Sequence, residues 1–274
     1  MMDPITSEAL RNAVIAGLLA IIPAGVMGVY IVIRRMVFIS GSVAHASLSG
    51  VGLGLIASFS PLIGALILTP PAAVGMGIIV KKTRLPEDTA IGMLWATGMS
   101  IGVILAALVH NTSDLSVYLF GDILAVPTAD LILMGVLDAV IILAVLRFYR
   151  EFLSISFDEE FSKLVGVSAE PLYFLMLFLI ALTVITLLRV AGILLVIALL
   201  AIPAALSRRL TFSVPKMMAL SCLFSALFTM SGLFISLRFQ LPSGAVIAIL
   251  CGVVFLVFLT VSRLRDRTRR SLHS

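Results

Sequence analysis

The chain has 274 residues, of which 61% are hydrophobic and 12% are charged, and its mean hydropathy is +1.21. This is far more apolar than a soluble core can use, so the composition excludes a soluble protein and predicts a single transmembrane domain over residues 1–274. The formal charge of +5 follows from the membrane topology described below, so it does not predict a nucleic-acid partner.

Uncharged apolar runs predict nine membrane-spanning helices, or eight if one run is too short. Most runs approach the roughly 20 residues that a helix needs to cross about 30 Å of hydrocarbon. They are continuous rather than alternating, so a β-barrel is excluded and the predicted fold is an all-α polytopic bundle. The predicted spans are Ala13–Ile33, two within Ser40–Val80 that turn near residues 58–61, Thr89–Val109, Leu131–Leu146, Pro171–Leu188, Val190–Leu206, Met217–Leu237 and Ser243–Ser262.

Basic residues are concentrated in alternate loops. If the N-terminus lies outside the cell, the cytoplasmic loops contain all but three of the 19 basic residues, the exceptions being Arg11, Arg189 and Arg238. The positive-inside rule therefore predicts an external N-terminus and a cytoplasmic C-terminus.

An acidic loop is predicted on the extracytoplasmic side at residues 110–130. It carries Asp114, Asp122 and Asp130 and no basic residue. Acidic groups at a pathway entrance would raise the local concentration of cations. The alternative is that external loops simply lack Lys and Arg.

Two cytoplasmic segments stand out. Asp158, Glu159 and Glu160 predict the start of a solvated helix, because acidic side chains suit the positive end of the helix dipole. Near residues 204–216, a span is predicted to end at Pro203, since proline interrupts helical hydrogen bonding. The following residues then form either a short helix across the membrane that docks a cytosolic partner or a plain connecting loop.

Motifs for catalysis are absent from the sequence. There is no GxxxxGK[ST] segment for nucleotide phosphates, no HExxH zinc motif and no paired aspartates for magnesium-diphosphate. We therefore predict a transport subunit rather than an enzyme, with energy supplied by a partner or an ion gradient.

Three ionisable residues lie within apolar runs: His45, Asp138 and Arg189. Such residues are costly in hydrocarbon and are candidates for a pathway or a binding site. Arg189 lies near the end of its run, where a long side chain can reach the membrane surface. For Asp138, a pathway role and a structural role remain open.

His45 lies on a helix face suited to close packing. Gly41, His45 and Ser49 share one face at four-residue spacing, and an adjoining ridge contains only small residues. Small ridges let helices approach closely, so this span is predicted to be buried against other helices. The imidazole is then either a hydrogen-bonded core group or a ligand for zinc, manganese or iron.

Four stretches resemble the membrane subunits of ABC importers for zinc, manganese and iron(II). They are RRMVFISGSVAHASLSGVGLG, LFGDILAV, the long segment from FDEEFSKLVGV to IPAALSRRL, and LPSGAVIAIL. The resemblance implies a type II ABC importer permease fold in the prokaryotic inner membrane. It also implies a dimer of this chain, two cytosolic ATPase subunits that use the ATP, and an extracytoplasmic metal-binding lipoprotein.

The family site departs from its usual pattern in this chain. In the family, an aspartate and a histidine one helical turn apart are taken to hold the metal within the pathway. The histidine corresponds to His45, but Gly41 occupies the aspartate position. Two His45 rings across a dimer axis would favour zinc. Otherwise Ser40, Ser42 or water completes the ligand shell, or the pathway selects only by size.

The resemblance also places the coupling helix, which contacts the ATPase, within residues 204–216. Arg208 and Arg209 are the expected contacts, with Ser207 and Thr211 beside them. The expected function is import of zinc or manganese, with iron as a further candidate and with no cofactor bound by this chain. Besides His45, the candidate metal residues are Ser42, Asp122 and Asp138. The alternatives are a proton-coupled carrier and an importer of a metal chelate or a cobalamin-like ligand.

Overall fold

Helices make up nearly all of the described chain. The computed structural model describes residues 4–83, 85–108, 117–193 and 195–271. Across these residues, eight helices are long and apolar enough to cross a membrane, and no β-strand is formed. The predicted all-α polytopic bundle is confirmed.

The helices are numbered in chain order. They are α1 Pro4–Ile33, α2 Val37–Ile56, α3 Pro61–Thr83, α4 Glu87–Leu108, a 3₁₀ helix Ile123–Ala125, α5 Thr128–Arg147, α6 Tyr149–Phe157, α7 Glu159–Leu164, α8 Ala169–Ala191, α9 Val196–Leu210, α10 Val214–Phe239 and α11 Ser243–Ser271. The eight candidate spans lie in α1 to α5, α8, α10 and α11.

The ninth predicted span is only a short helix. α9 has 15 residues, and at 1.5 Å per residue it reaches about 22 Å, less than the hydrocarbon thickness. α9 nevertheless starts beside the end of α8 and ends where Arg208 contacts Val32 at the end of α1. Among the described helices the chain therefore passes between the two ends of the bundle nine times, eight of them in full-length spans. Hydrophobicity is nearly continuous from Pro171 to Leu206, so the apolar pattern alone does not show where α8 ends and α9 begins.

Three glycines let separate backbone segments touch where α8 ends. Gly192 caps α8 with a φ of 74°, and Gly121 has a φ of 75°. A Cβ on Gly192 would overlap the backbone of Phe120 and Gly121. A Cβ on Gly244 would overlap the carbonyl oxygens of Phe120 and Ala191. We call this arrangement of Gly121, Gly192 and Gly244 the glycine contact, and only glycine fits at each position.

The helix break predicted at Pro203 is wrong. Pro203 lies inside α9, which continues to Leu210. Pro23 in α1 and Pro70 and Pro71 in α3 also lie inside helices. Each proline removes one backbone hydrogen bond, and packing against neighbouring transmembrane helices tolerates that loss.

α2 and α8 form the centre of the bundle. In each span 78% of the residues of the most apolar window are buried, compared with 17% for α4 and α11. Glycines on α2 and its neighbours allow close packing: a Cβ on Gly50 would lie 2.5 Å from the Cα of Ala65, and one on Gly98 would lie 2.5 Å from the Cα of Ala46. The predicted burial of the small-residue span is confirmed.

The two ends of the bundle differ in charge. At one end, which we call the basic end, Arg34, Lys81 and Lys163 converge on α7, and Arg208 on α9 contacts the end of α1. At the opposite end, Arg189 forms an ion pair with an aspartate of α5. The membrane-spanning helices connect these two ends.

Candidate functional site

The His45 side chain is buried in α2 and stacks on an indole. His45 as a whole is 4% exposed. The ring lies 4.1 Å from that of Trp95 on α4, centroid to centroid, with an interplanar angle of 13°. Nδ1 has no hydrogen-bond partner among the described residues. At Nδ1, therefore, the structure does not support the alternative of a hydrogen-bonded core histidine.

The residues beside His45 on α2 provide little further ligand capacity. Gly41 faces α9, where an added Cβ would lie 2.5 Å from Cδ1 of Ile197. Ser40 and Ser42 are fully buried, and their hydroxyls donate to the carbonyl oxygens of Val37 at 2.7 Å and Ile39 at 3.0 Å. Within the described structure, both serine hydroxyls donate to carbonyl oxygens of their own helix.

The two other candidate carboxylates lie in different places. Asp138 is 3% exposed within α5, and neither carboxyl oxygen has a hydrogen-bond partner in the part of the chain that the structure describes. Asp122 precedes the 3₁₀ helix and caps it by accepting a hydrogen bond of 3.1 Å from the backbone N–H of Leu124. Among the described residues, no hydrogen bond or ion pair joins either aspartate to His45, so each is a separate feature of the chain. Asp114 lies outside the described residues.

Arg189 is held in an ion pair at the end opposite the basic end. Its Nε donates to Oδ2 of Asp130 at 2.7 Å, and the side chains are 12% and 6% exposed. Its guanidinium also lies 4.6 Å from the ring centroid of Tyr118. Arg189 thus lies in the last turn of α8, near the end of its span as predicted, and the structure adds a buried ionic partner there. Its partner lies 59 positions away in the sequence, where a local pattern could not identify it.

Glu159 at the basic end accepts from three cations. Its carboxylate lies 2.9 Å from Arg34, 3.1 Å from Lys81 and 3.1 Å from Lys163. Burial alone would raise the pKa of Glu159, but the hydrogen bonds from these cations outweigh it and lower the pKa from 4.5 to about 2. The predicted helix start is observed, with Asp158 capping α7. Glu159, however, is paired rather than solvated.

The predicted coupling residues lie where α9 ends and α10 begins. Arg208 and Arg209 are exposed, and Arg208 donates to the carbonyl oxygen of Val32 at 3.3 Å. Thr211 follows the last turn of α9 and accepts from the backbone N–H of Ser213. Ser207 is fully buried and donates to the Ala204 carbonyl, so it supports the helix end rather than facing outward.

Sequence reasoning missed an exposed aromatic residue in the same turn. Phe212 is 96% exposed and lines a cleft of about 590 Å³ together with Arg208, Arg209 and Phe255. An isolated phenylalanine in the polar segment SRRLTFSVPK could have indicated it. Phe212 therefore adds an apolar side chain to the exposed basic turn formed by Arg208 and Arg209.

The described residues of one chain do not form a complete metal site. No group of three or more His, Cys, Asp or Glu side chains lies close enough to hold an ion in the part of the chain that the structure describes. The chain therefore offers isolated ligands, of which the imidazole of His45 suits zinc, manganese and iron.

Comparison with known proteins gives consistent matches over the full fold. The family model for the ABC 3 transport family matches residues 6–262. The chain is 40% identical over 264 residues to an uncharacterized membrane protein of Synechocystis sp., covering 96% of this chain and 94% of that protein. It is 33% identical to the manganese transport system membrane protein MntC of Listeria monocytogenes, covering 90% of this chain and 89% of that protein.

A solved structure shares this architecture. PsaBC from Streptococcus pneumoniae, in complex with Fab, superposes with a TM-score of 0.83 at 32% sequence identity. The match covers 91% of this chain and 90% of that one.

Proposed function

The chain belongs to the ABC 3 transport family, and from that premise we propose that it imports a divalent transition metal ion as the membrane subunit of an ATP-driven transporter. Zinc and manganese are the proposed substrates, with iron(II) as a further candidate. The observation that carries the proposal is His45, a buried imidazole whose Nδ1 has no hydrogen-bond partner among the described residues. A relative named for manganese transport, which aligns over 89% of its length, supports the substrate class.

We place the metal between two copies of the chain. A single imidazole is too few ligands for a transition metal, and one chain forms no cluster of three ligands within its described residues. Two His45 rings facing across a dimer axis would double the ligand number. Weak binding of this kind suits a pathway, because an ion held tightly could not leave.

The other partners follow from the two ends of the bundle. The basic end faces the cytoplasm under the positive-inside rule, which puts the N-terminus outside and the C-terminus inside. The turn after α9 lies at this end and forms the surface for a cytosolic ATPase subunit, so a dimer of the chain binds two. The surface consists of Arg208, Arg209, Thr211 and Phe212. An extracytoplasmic metal-binding lipoprotein delivers the ion at the opposite end, and membrane lipid surrounds the spans.

Transport by reconstituted protein tests the proposal. The chain, its ATPase and the binding protein are incorporated into vesicles, and uptake of Mn²⁺ and Zn²⁺ is measured with ATP or with a pH gradient alone. We expect uptake that requires ATP. His45→Ala should lower it by at least about 100-fold, because loss of a direct ligand costs more than loss of the residues that support one.

A matched control separates the ligand from the helix. Ser49→Ala removes a hydroxyl one turn from His45 that bonds only to the Ala46 carbonyl, so uptake should persist. Uptake driven by a pH gradient without ATP would instead support a proton-coupled carrier. Competition by metal chelates but not by free ions would support a chelate importer. Full uptake by His45→Ala would remove the imidazole from the pathway.

Charge reversal tests the coupling surface. Arg208→Glu and Arg209→Glu should each reduce co-purification of the ATPase, since both side chains are exposed at the turn after α9. Arg150→Glu is the control, because Arg150 is also an exposed arginine but lies on α6, outside residues 204–216. Equal co-purification of all three variants would exclude the two arginines from the interface.

A further inference from the structure

The ring of His45 lies against the only tryptophan of the chain. The imidazole and the indole of Trp95 are nearly parallel, with an interplanar angle of 13°. In this geometry the indole covers one face of the imidazole. Both ring nitrogens direct their lone pairs or protons outward in the ring plane, at the edge that a stacked partner leaves uncovered. The stack itself therefore does not block a metal from the ring edge, and Trp95 can hold the plane of the ring.

Close packing of α2 against α4 creates this stack. A Cβ on Gly98 would lie 2.5 Å from the Cα of Ala46, the residue after His45. A Cβ on Gly102, one turn further along α4, would lie 2.6 Å from the backbone of Leu48. Side chains at either glycine would separate the two helices and move Trp95 away from His45.

Because position 41 has no carboxylate, the indole can supply part of the charge compensation that a bound cation needs. Gly41 stands one turn before His45, where it cannot balance the charge of a bound cation. A metal bound to an imidazole makes that ring electron-poor, and burying the charge without compensation is costly. The face of an indole is negative and attracts cations more strongly than the face of any other aromatic side chain.

We propose that Trp95 is a positioning residue for the transported metal, which fixes the plane of the His45 ring and partly compensates the charge of the ion through the face of its indole. This inference rests on the proposed function, in which His45 binds the metal. It assigns a role on α4 to a residue that the metal itself does not touch.

Intrinsic fluorescence provides the first test, because emission excited at 295 nm comes from Trp95 alone in this chain. The full chain in phospholipid vesicles is titrated with Mn²⁺, a paramagnetic ion that quenches nearby fluorophores. We expect saturable quenching whose dissociation constant His45→Ala raises by at least about 100-fold. The control is Trp95→Phe combined with Ile104→Trp, which moves the tryptophan to an α4 position that is 60% exposed and should not respond.

Metal affinity provides the second test. Equilibrium dialysis with Mn²⁺ and with Zn²⁺ is carried out on the wild type, Trp95→Phe and Trp95→Leu. Loss of the aromatic face in Trp95→Leu should weaken binding by about 5- to 30-fold. Trp95→Phe keeps a weaker aromatic face, so binding should fall by only about 2- to 5-fold. If Trp95→Leu does not fold, the ratio of wild type to Trp95→Phe decides.

A double-mutant cycle distinguishes positioning from general packing. In the His45→Ala background, Trp95→Phe should cause no further loss of metal binding. Binding that depends on His45 but is unchanged in the Trp95 variants would overturn this inference and leave the proposed function intact. Binding that does not depend on His45 would overturn the proposed site, and this inference with it.

Discussion

Two carboxylates at the ends of the bundle have ionic partners, whereas two ionisable groups in its middle lack partners among the described residues. Glu159 accepts from three cations at the basic end, and Asp130 pairs with Arg189 at the opposite end. Between them, Nδ1 of His45 and both carboxyl oxygens of Asp138 lack hydrogen-bond partners among the described residues. The paired groups are explained by the stability of the fold. The unpaired groups are not, and they are therefore the better candidates for function.

Two aspartates of α5 show the difference within one helix. Asp130 and Asp138 are both buried and lie two turns apart. The first has an arginine at 2.7 Å, and the second has no partner in the described part of the chain. The two aspartates thus share their residue type and their burial. The ion pair makes Asp130 a structural carboxylate, whereas Asp138, which has no such pair, is a candidate pathway group.

The largest effect on stability is expected from breaking the Asp130–Arg189 pair. Arg189→Met leaves a buried carboxylate uncompensated, which should cost about 3–5 kcal/mol of unfolding free energy. Thermal unfolding of the chain in detergent measures the loss. Adding Asp130→Asn should restore most of it, because no charge is then left unpaired. If Arg189→Met alone is as stable as the wild type, the ion pair with Arg189 does not explain how the buried Asp130 carboxylate is tolerated.

A smaller effect is expected at the basic end, with a defined pH dependence. The pKa of Glu159 is lowered from 4.5 to about 2, so its stabilisation is present above pH 4.5 and is lost as the pH falls toward 2. Its side chain is 28% exposed, so solvent screening reduces the effect of Glu159→Gln to about 1–2 kcal/mol near neutral pH.

Unfolding measured between pH 6 and pH 3 checks this prediction. The difference between wild type and Glu159→Gln should shrink as the pH decreases. Glu160→Gln is the matched control, because that neighbouring side chain is exposed and has no ion pair among the described residues. A difference that stays constant with pH would show that the three cations do not depend on the Glu159 charge.

The smallest effect on stability is expected at Asp138. Asp138→Asn removes a carboxyl that has no partner in the described structure, so unfolding should change by less than about 1 kcal/mol. Thermal unfolding under the conditions used for Arg189→Met allows direct comparison. A loss as large as that of Arg189→Met would show that Asp138 has a partner after all, and the contrast within α5 would fail.

Local patterns predicted those parts of the molecule that depend on nearby residues. Apolar runs placed the long spans, and the spacing of Gly41, His45 and Ser49 indicated a buried face on α2. Helical periodicity connects residues within a few turns, so these features can be derived from one stretch of sequence.

Contacts between distant segments could not be derived in this way. Arg189 finds Asp130 on another helix, and Trp95 meets His45 only because α4 packs closely against α2. Pro203 was expected to end a helix, but tertiary packing carries α9 past it. Each of these outcomes depends on which helices are neighbours, and neighbours are not encoded in the local period of hydrophobic residues.

The glycine contact has a mechanical consequence. At Gly121, Gly192 and Gly244 the backbones of three segments touch directly, with no flexible side chain to absorb relative motion. We therefore expect a tilt of α9 to move the start of α11 and the backbone around Gly121 together with it. A movement of the turn after α9 at one side of the membrane would then be transmitted through backbone contacts to the other side.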